Sequence, residues 1–586
     1  MTGFAHRPRA ALTAALLVLL TACAQQDALT PDTTVGQPEA QDPSPVSPVA
    51  DRAGQPPVGK LATRELGIAS APATPASNAF FPGQVPYYES RERYPEFTDN
   101  GVRLAREQPV STFSIDVDTA SYANVRRLLN AGTLPPADAV RVEELINYFR
   151  YDYAPPPDRK QPFSVHYELA PSPWSADRTL LHLGIQGYQL SRAELPPVNL
   201  VFLVDVSGSM QAPNKLSLLK PALRLLAERL GARDRLSIAV YAGAAGTVLE
   251  STRGDNREPI LRAIDGLEAG GSTNGGAGIQ LAYSLARQGF LPDGINRIVL
   301  ATDGDFNVGT TDIDALKSLI ERERASGVSL SVLGFGAGNY YDALMQELAQ
   351  NGDGNAAYID TLNEARKVLI DEISGTLATI ARDVKIQIEF NPQVVAEYRL
   401  IGYETRHLER EDFNNDNVDA GDIGAGHSVT ALYELTLTGA PTRIEPLRYQ
   451  REATAGTDAD EAYAGELAYL RIRHKMPGAR VSKLQAFPLR LDALRADLAA
   501  TSDDFRFSAA VAGFGQLLRG SEQLQGFGYE DALNLALGAR GADPFGYRGE
   551  FVSLVRTAEA LDAPRHTGNT MSGTAAPVQV EDREAS

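Results

Sequence analysis

The stretch VFLVDVSGSM, residues 201–210, decides how the chain is read. Apolar residues run almost unbroken into Asp205, and Ser207 and Ser209 follow at alternate positions. A strand without polar alternation is covered on both faces, so its polar tip marks a loop at the strand's carboxyl end. The surroundings repeat the theme. NLVFLVDV (199–206), RLSIAVYAG (235–243), NRIVLATDG (296–304) and VSLSVLGFG (328–336) read as buried strands. Helical spacing of apolar residues covers 216–230, 259–267, 278–290 and 314–327, with a last helix expected over 362–380. This alternation predicts an α/β fold, a doubly wound and mostly parallel sheet with helices on both faces. Such sheets bind ligands outside the carboxyl ends of their strands, where DVSGSM and ATDGD both fall.

The flanks differ. The segment 112–149 predicts a strand, a helix, a Pro-Pro break and a second helix, and 163–190 predicts two strands about a proline-containing turn. After Asp383, VKIQIEF, YRLIGYE, VTALYELTL and LAYLRIRHK alternate with period two, followed by helical sequence such as DDFRFSAAVAGFGQLL. The expected organisation is an N-terminal α+β domain (80–195), the α/β domain (196–381), and a C-terminal β-rich then helical module (382–562). With 586 residues and a net charge of −19, the chain is long enough for several domains, and its surface as a whole disfavours nucleic acid.

The first residues carry Arg7 and Arg9, then a short apolar run, then Leu20-Thr21-Ala22-Cys23. That is the order of a secretory signal, and L-T-A-C resembles the lipobox of bacterial lipoproteins. The resemblance implies cleavage after residue 22 and a lipid on the Cys23 sulfur. It places the protein in the cell envelope and, in a Gram-negative cell, on the outer membrane facing the periplasm or the surface. Residues 24–79 contain no aromatic residue and are dominated by Pro, Ala, Thr, Gln and Ser; such a composition cannot offset its chain entropy. Residues 23–79 are expected to be a disordered tether spanning on the order of 40 Å, and residues 563–586 a disordered tail.

The chemistry gathers on three loops. Asp205, Ser207 and Ser209 can aim their side chains together, GGSTNGG supplies Thr273, and TDGDFN supplies Asp303. Three hydroxyls and two carboxylates make an all-oxygen set, suited to a hard cation such as Mg²⁺ and lacking the nitrogen and sulfur donors zinc prefers. D-x-S-x-S with a later Thr and a later T-D-G resembles the metal-ion-dependent adhesion site of von Willebrand factor type A domains. The resemblance covers about residues 196–381. It implies that Ser207 and Ser209 bind Mg²⁺ directly (Mn²⁺ or Ca²⁺ being alternatives). Thr273 would bind directly or through water, and Asp205 and Asp303 would act mostly through water. An acidic side chain of a protein partner would complete the shell. The flanking segments resemble those of a bacterial family of envelope-associated type A proteins.

Other features read as structural. Asp116-Val117-Asp118 has Ala120 where a second hydroxyl is needed and is expected to be a turn or cap. Asp412, Asn414, Asp416 and Asp419 to Asp422 make an oxygen-rich loop that could take Ca²⁺, but it lacks the glycine and terminal Glu of an EF-hand and is expected to be a solvated acidic loop. Arg253-Gly254-Asp255 is a triplet that arises by chance in charged loops. The expected function is non-enzymatic: partner binding through the metal, with a scaffold whose metal is structural as the alternative. A metal-dependent hydrolase is a remoter reading, because the sequence offers no nucleophile with a His partner, no phosphate-binding Lys loop and no G-x-S-x-G.

Overall fold

The computed structural model describes residues 92–570, apart from 192, 272–274, 305–312, 339, 373–374, 376–377, 446, 448–462 and 464. The expected signal peptide, tether, lipidated Cys23, Thr273 and the tail beyond residue 570 lie outside the described residues.

The run around Asp205 is strand β5 (Val198–Asp205), buried at every position. It lies inside a six-stranded sheet with β6 (Arg235–Tyr241), β7 (Ala245–Arg253), β8 (Ile295–Thr302), β9 (Val328–Phe335) and β10 (Ala356–Ile359), in the order β10-β9-β8-β5-β6-β7. All neighbours are parallel except β7, which pairs antiparallel with β6 at the edge. Alternate residues of β5 serve opposite faces. Leu200, Phe202 and Val204 pack with α3 (Leu216–Ala227), α4 (Arg257–Asp265) and α8 (Leu362–Arg366). Val201 and Leu203 pack with α5 (Gly275–Gln288), α6 (Ile313–Arg324) and α7 (Asp342–Asn351). The doubly wound reading is thus what the chain forms. Pro221 lies past the first turn of α3, where it forgoes a backbone hydrogen bond.

The flanks depart from the expected separate domains. Strands β1 (Arg103–Leu104), β3 (Phe163–Ser172) and β4 (Ser175–Gly187) precede the parallel sheet; β12 (Val395–Ile401) and β14 (Ser428–Leu437) follow it. Together they form one sheet, β1-β12-β14-β4-β3. A second sheet joins β2 (Val110–Ser114) to β11 (Thr379–Phe390), which also pairs β13 (Ile423–Gly424) and β15 (Glu466–Lys475), with β16 (Lys483–Arg490) outermost. Phe113, Leu181, Leu183, Ile386, Leu435 and Ile472 share one core between the two sheets. The expected domains 80–195 and 382–562 are therefore one β-sandwich, with the α/β domain inserted between β4 and β11. The physical reason is that β4 has only β3, and β14 only β12, as a neighbour within its own segment, and each fills its remaining edge with the other.

A helical layer covers the outer face of the first sheet. It combines α1 (Ala120–Asn130) and α2 (Val142–Asn147) with α9 (Asp503–Arg519), α10 (Tyr529–Gly538) and α11 (Tyr547–Thr570) around Trp174, Leu180 and Leu432. The Ser502 hydroxyl caps α9 by accepting from the Phe505 N–H at 3.1 Å, and Gly520 closes it in the left-handed region. Helix α11 runs to Thr570, past the expected start of a disordered tail at residue 563. The expected helix over 362–380 is met in its first half and corrected at its end: α8 continues directly into a π-helical turn over Lys367–Asp371, and Thr379 already opens β11.

Candidate functional site

Asp205 ends β5 in register with Tyr241 of β6 and is fully buried. Its Oδ1 accepts the Ser207 backbone N–H at 2.8 Å, and its Oδ2 accepts the hydroxyls of Tyr241 at 3.1 Å and Thr302 at 3.4 Å. Burial holds this carboxyl above its usual range; the bonds from Ser207 oppose the shift and nearby Asp303 adds to it. After Asp205 the chain turns through a short 3₁₀ segment, Gly208–Gln211. The turn brings the Ser207 and Ser209 hydroxyl oxygens within 2.9 Å of each other, Ser207 buried and Ser209 exposed.

The second loop is stitched to the first. Gly208 N–H donates to the Gly271 carbonyl at 3.0 Å, and Gly270 N–H donates to the Val206 carbonyl at 2.7 Å. Gly271 has φ +94°, a conformation glycine adopts freely. Thr273 itself lies outside the described residues. The third loop leaves β8 at Thr302, and Asp303 follows with no exposure to solvent. Asp303 Oδ2 accepts a hydrogen bond from Lys215 Nζ at 2.8 Å. Asp205, Ser207, Ser209 and Asp303 therefore share the carboxyl edge of the parallel sheet, as the spacing predicts. Lys215, Tyr241 and Thr302 are the participants that sequence reasoning missed. The hydroxyl of Thr302 was legible beside Asp303, whereas nothing local marks Lys215.

The donor chemistry can be weighed against an ion. Among the described residues no group of three or more His, Cys, Asp or Glu side chains is set to hold a metal. A cation here would rest on the two serine hydroxyls, with Asp205 and Asp303 as the anionic groups. Such an oxygen set, poor in charge and rich in room for water, fits a hard divalent ion of the Mg²⁺ kind.

The remaining sequence features take structural places. Asp116 and Asp118 both pair with Arg406, at 2.9 and 3.2 Å, and Asp118 Oδ1 accepts the Ala356 N–H that opens β10. Asp419 and Asp422 of the acidic loop line a cavity of about 240 Å³ together with Asp116, Asp118, Arg297 and Arg406. Burial, then Asp353, pushes the Asp422 carboxyl up to about 7. Arg253 and Asp255 pair with each other at 2.8 Å on the surface.

Comparison with known proteins agrees with this architecture. The family model of the von Willebrand factor type A domain matches residues 199–371, and a second von Willebrand factor model matches residues 88–182. Fold and matches together define a von Willebrand factor type A domain protein. A third model, "Uncharacterized protein YfbK, C-terminal", matches residues 375–561. The chain is 50% identical over 475 residues to Uncharacterized protein YfbK of Escherichia coli K12, covering 80% of this chain and 81% of that one. It belongs to the YfbK family of type A domain proteins. Inter-alpha-trypsin inhibitor heavy chain H4 of Homo sapiens is 32% identical over 195 residues, 31% of this chain and 21% of that one. A solved von Willebrand factor type A structure from Catenulispora acidiphila covers 71% of this chain and 91% of its own, at 14% identity and a TM-score of 0.39.

Proposed function

We propose that this chain is a lipid-anchored protein of the cell envelope that binds a protein partner through a Mg²⁺ ion at the tip of β5. Convergence of Asp205, Ser207, Ser209 and Asp303 at one edge of the sheet carries the reading. Ser207 and Ser209 would hold the ion directly, Thr273 would join from its own loop, and Asp205 and Asp303 would act through water. Mn²⁺ and Ca²⁺ share the required chemistry. A divalent ion given few direct anionic ligands stays electrophilic, so an acidic side chain of the partner is the fitting last ligand. The L-T-A-C sequence supports attachment at Cys23.

The test is capture from a detergent extract of the native envelope on the immobilised full chain. It is run in Mg²⁺, in EDTA, and with Asp205→Ala, whose fold is checked by circular dichroism. A protein retained by the wild type in Mg²⁺ and lost in the other two arms is the expected result. Retention in all three would move binding to the sandwich and helical layer and leave the metal a structural part.

A further inference from the structure

We propose that Lys215 is a built-in counter-ion of the candidate metal site, and that its ammonium sets how tightly the site takes a divalent cation. The proposal rests on the metal-site reading above and adds to it the group that tunes the site.

Lys215 lies just before α3, and its Nζ donates to Asp303 Oδ2 at 2.8 Å. The pair is buried: the side chains are 8% and 0% exposed. This is no surface lysine folded back by chance. Its backbone carbonyl accepts the Leu218 and Leu219 N–H groups, both at 2.9 Å, which fixes it to the first turn of α3. Its aliphatic stem runs across Gly336, directly after β9. A Cβ placed on Gly336 would stand 2.1 Å from Lys215 Cε, so the path of this side chain exists only because residue 336 has none. Gly336 also has φ +82°, so the chain accommodates the lysine by a backbone conformation that glycine alone adopts freely.

The electrostatic consequence follows from counting charges. Asp205 and Asp303 bring two negative charges to the edge of β5 and β8, and Lys215 cancels one of them. A divalent cation entering beside the serine hydroxyls meets a site of net charge −1, the ammonium's repulsion included, where the two carboxylates alone would present −2. Coulomb repulsion between like charges a few ångströms apart is large wherever water is scarce. The ion is therefore held weakly by the protein alone. A partner carboxylate restores the negative charge that Lys215 removed. Cation and acidic partner should then bind together better than either binds singly, which keeps the site selective for an acidic ligand.

Mn²⁺ titration of the full chain, followed by electron paramagnetic resonance of the free ion, tests this directly. Lys215→Met removes the charge, and Lys215→Gln removes it while keeping a hydrogen-bond donor for Asp303. Near-ultraviolet circular dichroism reports whether each variant keeps its packing. Both folded variants should bind Mn²⁺ about tenfold or more tightly than the wild type, and Asp205→Ala should bind least. Equal or weaker binding by Lys215→Gln would overturn the role given to Lys215 and leave the metal site standing. Wild-type binding by Asp205→Ala would instead remove the metal site itself, and the proposal with it.

Discussion

Glu143, at the second position of α2, has no exposure to solvent. Burial, with Glu404 and Asp116 adding to it, pushes its carboxyl up to about 8. The sign of the effect is the reverse of that for a paired carboxylate. Between the ordinary value of 4.5 and about 8 the folded chain keeps a proton that the unfolded chain has released, so stability falls as pH rises through that window. Glu143→Gln should melt like the wild type near pH 4.5 and several degrees above it at about pH 9. A difference that does not change with pH would contradict the assignment. At this scale the sequence was readable where a residue type at a fixed spacing names its own chemistry, as with Asp205, Ser207, Ser209 and Asp303. Lys215 was not, because its partner stands 88 residues away and the glycine that makes room for it follows a different strand, β9.

Helix α8 is the element on which the two parts of the molecule meet. Arg126 of α1 is buried, and it donates to Asp360 just ahead of α8, to Glu364 within it at 2.8 Å, and to Glu550 of α11 at 2.9 Å. Tyr148 donates to the same Glu364 at 2.7 Å. One guanidinium thus ties the end of the inserted domain to both the N-terminal and the C-terminal helices. Arg126→Met leaves Asp360 and Glu364 buried without their cation, and should cost about 3–5 kcal/mol. Denaturant unfolding measures this; a loss below about 1 kcal/mol would mean that the carboxylates find other partners. The apolar spacing at Leu362, Ala365, Val368 and Leu369 suggests a helix continuing far beyond Arg366. The chain follows that pattern through the π turn to Asp371, and tertiary pairing prevails by Thr379, where β11 opens toward its partners β2 and β15. The edge strand β7, with a single buried residue, was illegible for a different reason: it has no apolar run to read.

For the molecule as a whole, the parallel sheet is the part written in local sequence, and the sandwich is the part that is not. Strands 199–206, 235–243, 296–304 and 328–336 announce themselves by unbroken apolar character. No window of sequence shows that Val110 will lie opposite Glu389, about 280 residues on. Contacts between such distant segments form slowly, because a long loop must close before they are made. The inserted domain carries all its own strand partners, from β5 to β10, and needs no such closure. Pulse-labelled hydrogen exchange during refolding should therefore protect amides of β5 and β8 before those of β4 and β11. Simultaneous protection of all four would contradict this order.

The split sandwich also bears on how the chain is made. Synthesis delivers β1 to β4 first and their partners β12 and β14 only after the whole α/β domain has emerged. For that interval β4, with ten consecutive buried positions from Arg178 to Gly187, waits with an unpaired edge. Exposed edges of that kind are templates for aggregation. A nascent chain of this design calls for a holding chaperone that keeps the early strands apart until the late ones arrive. A premature stop between α8 and β12 would leave a product with an intact α/β domain and a sticky hairpin of β3 and β4. Depleting such a holdase should then lower the yield of the full chain far more than that of the α/β domain alone, from β5 to α8.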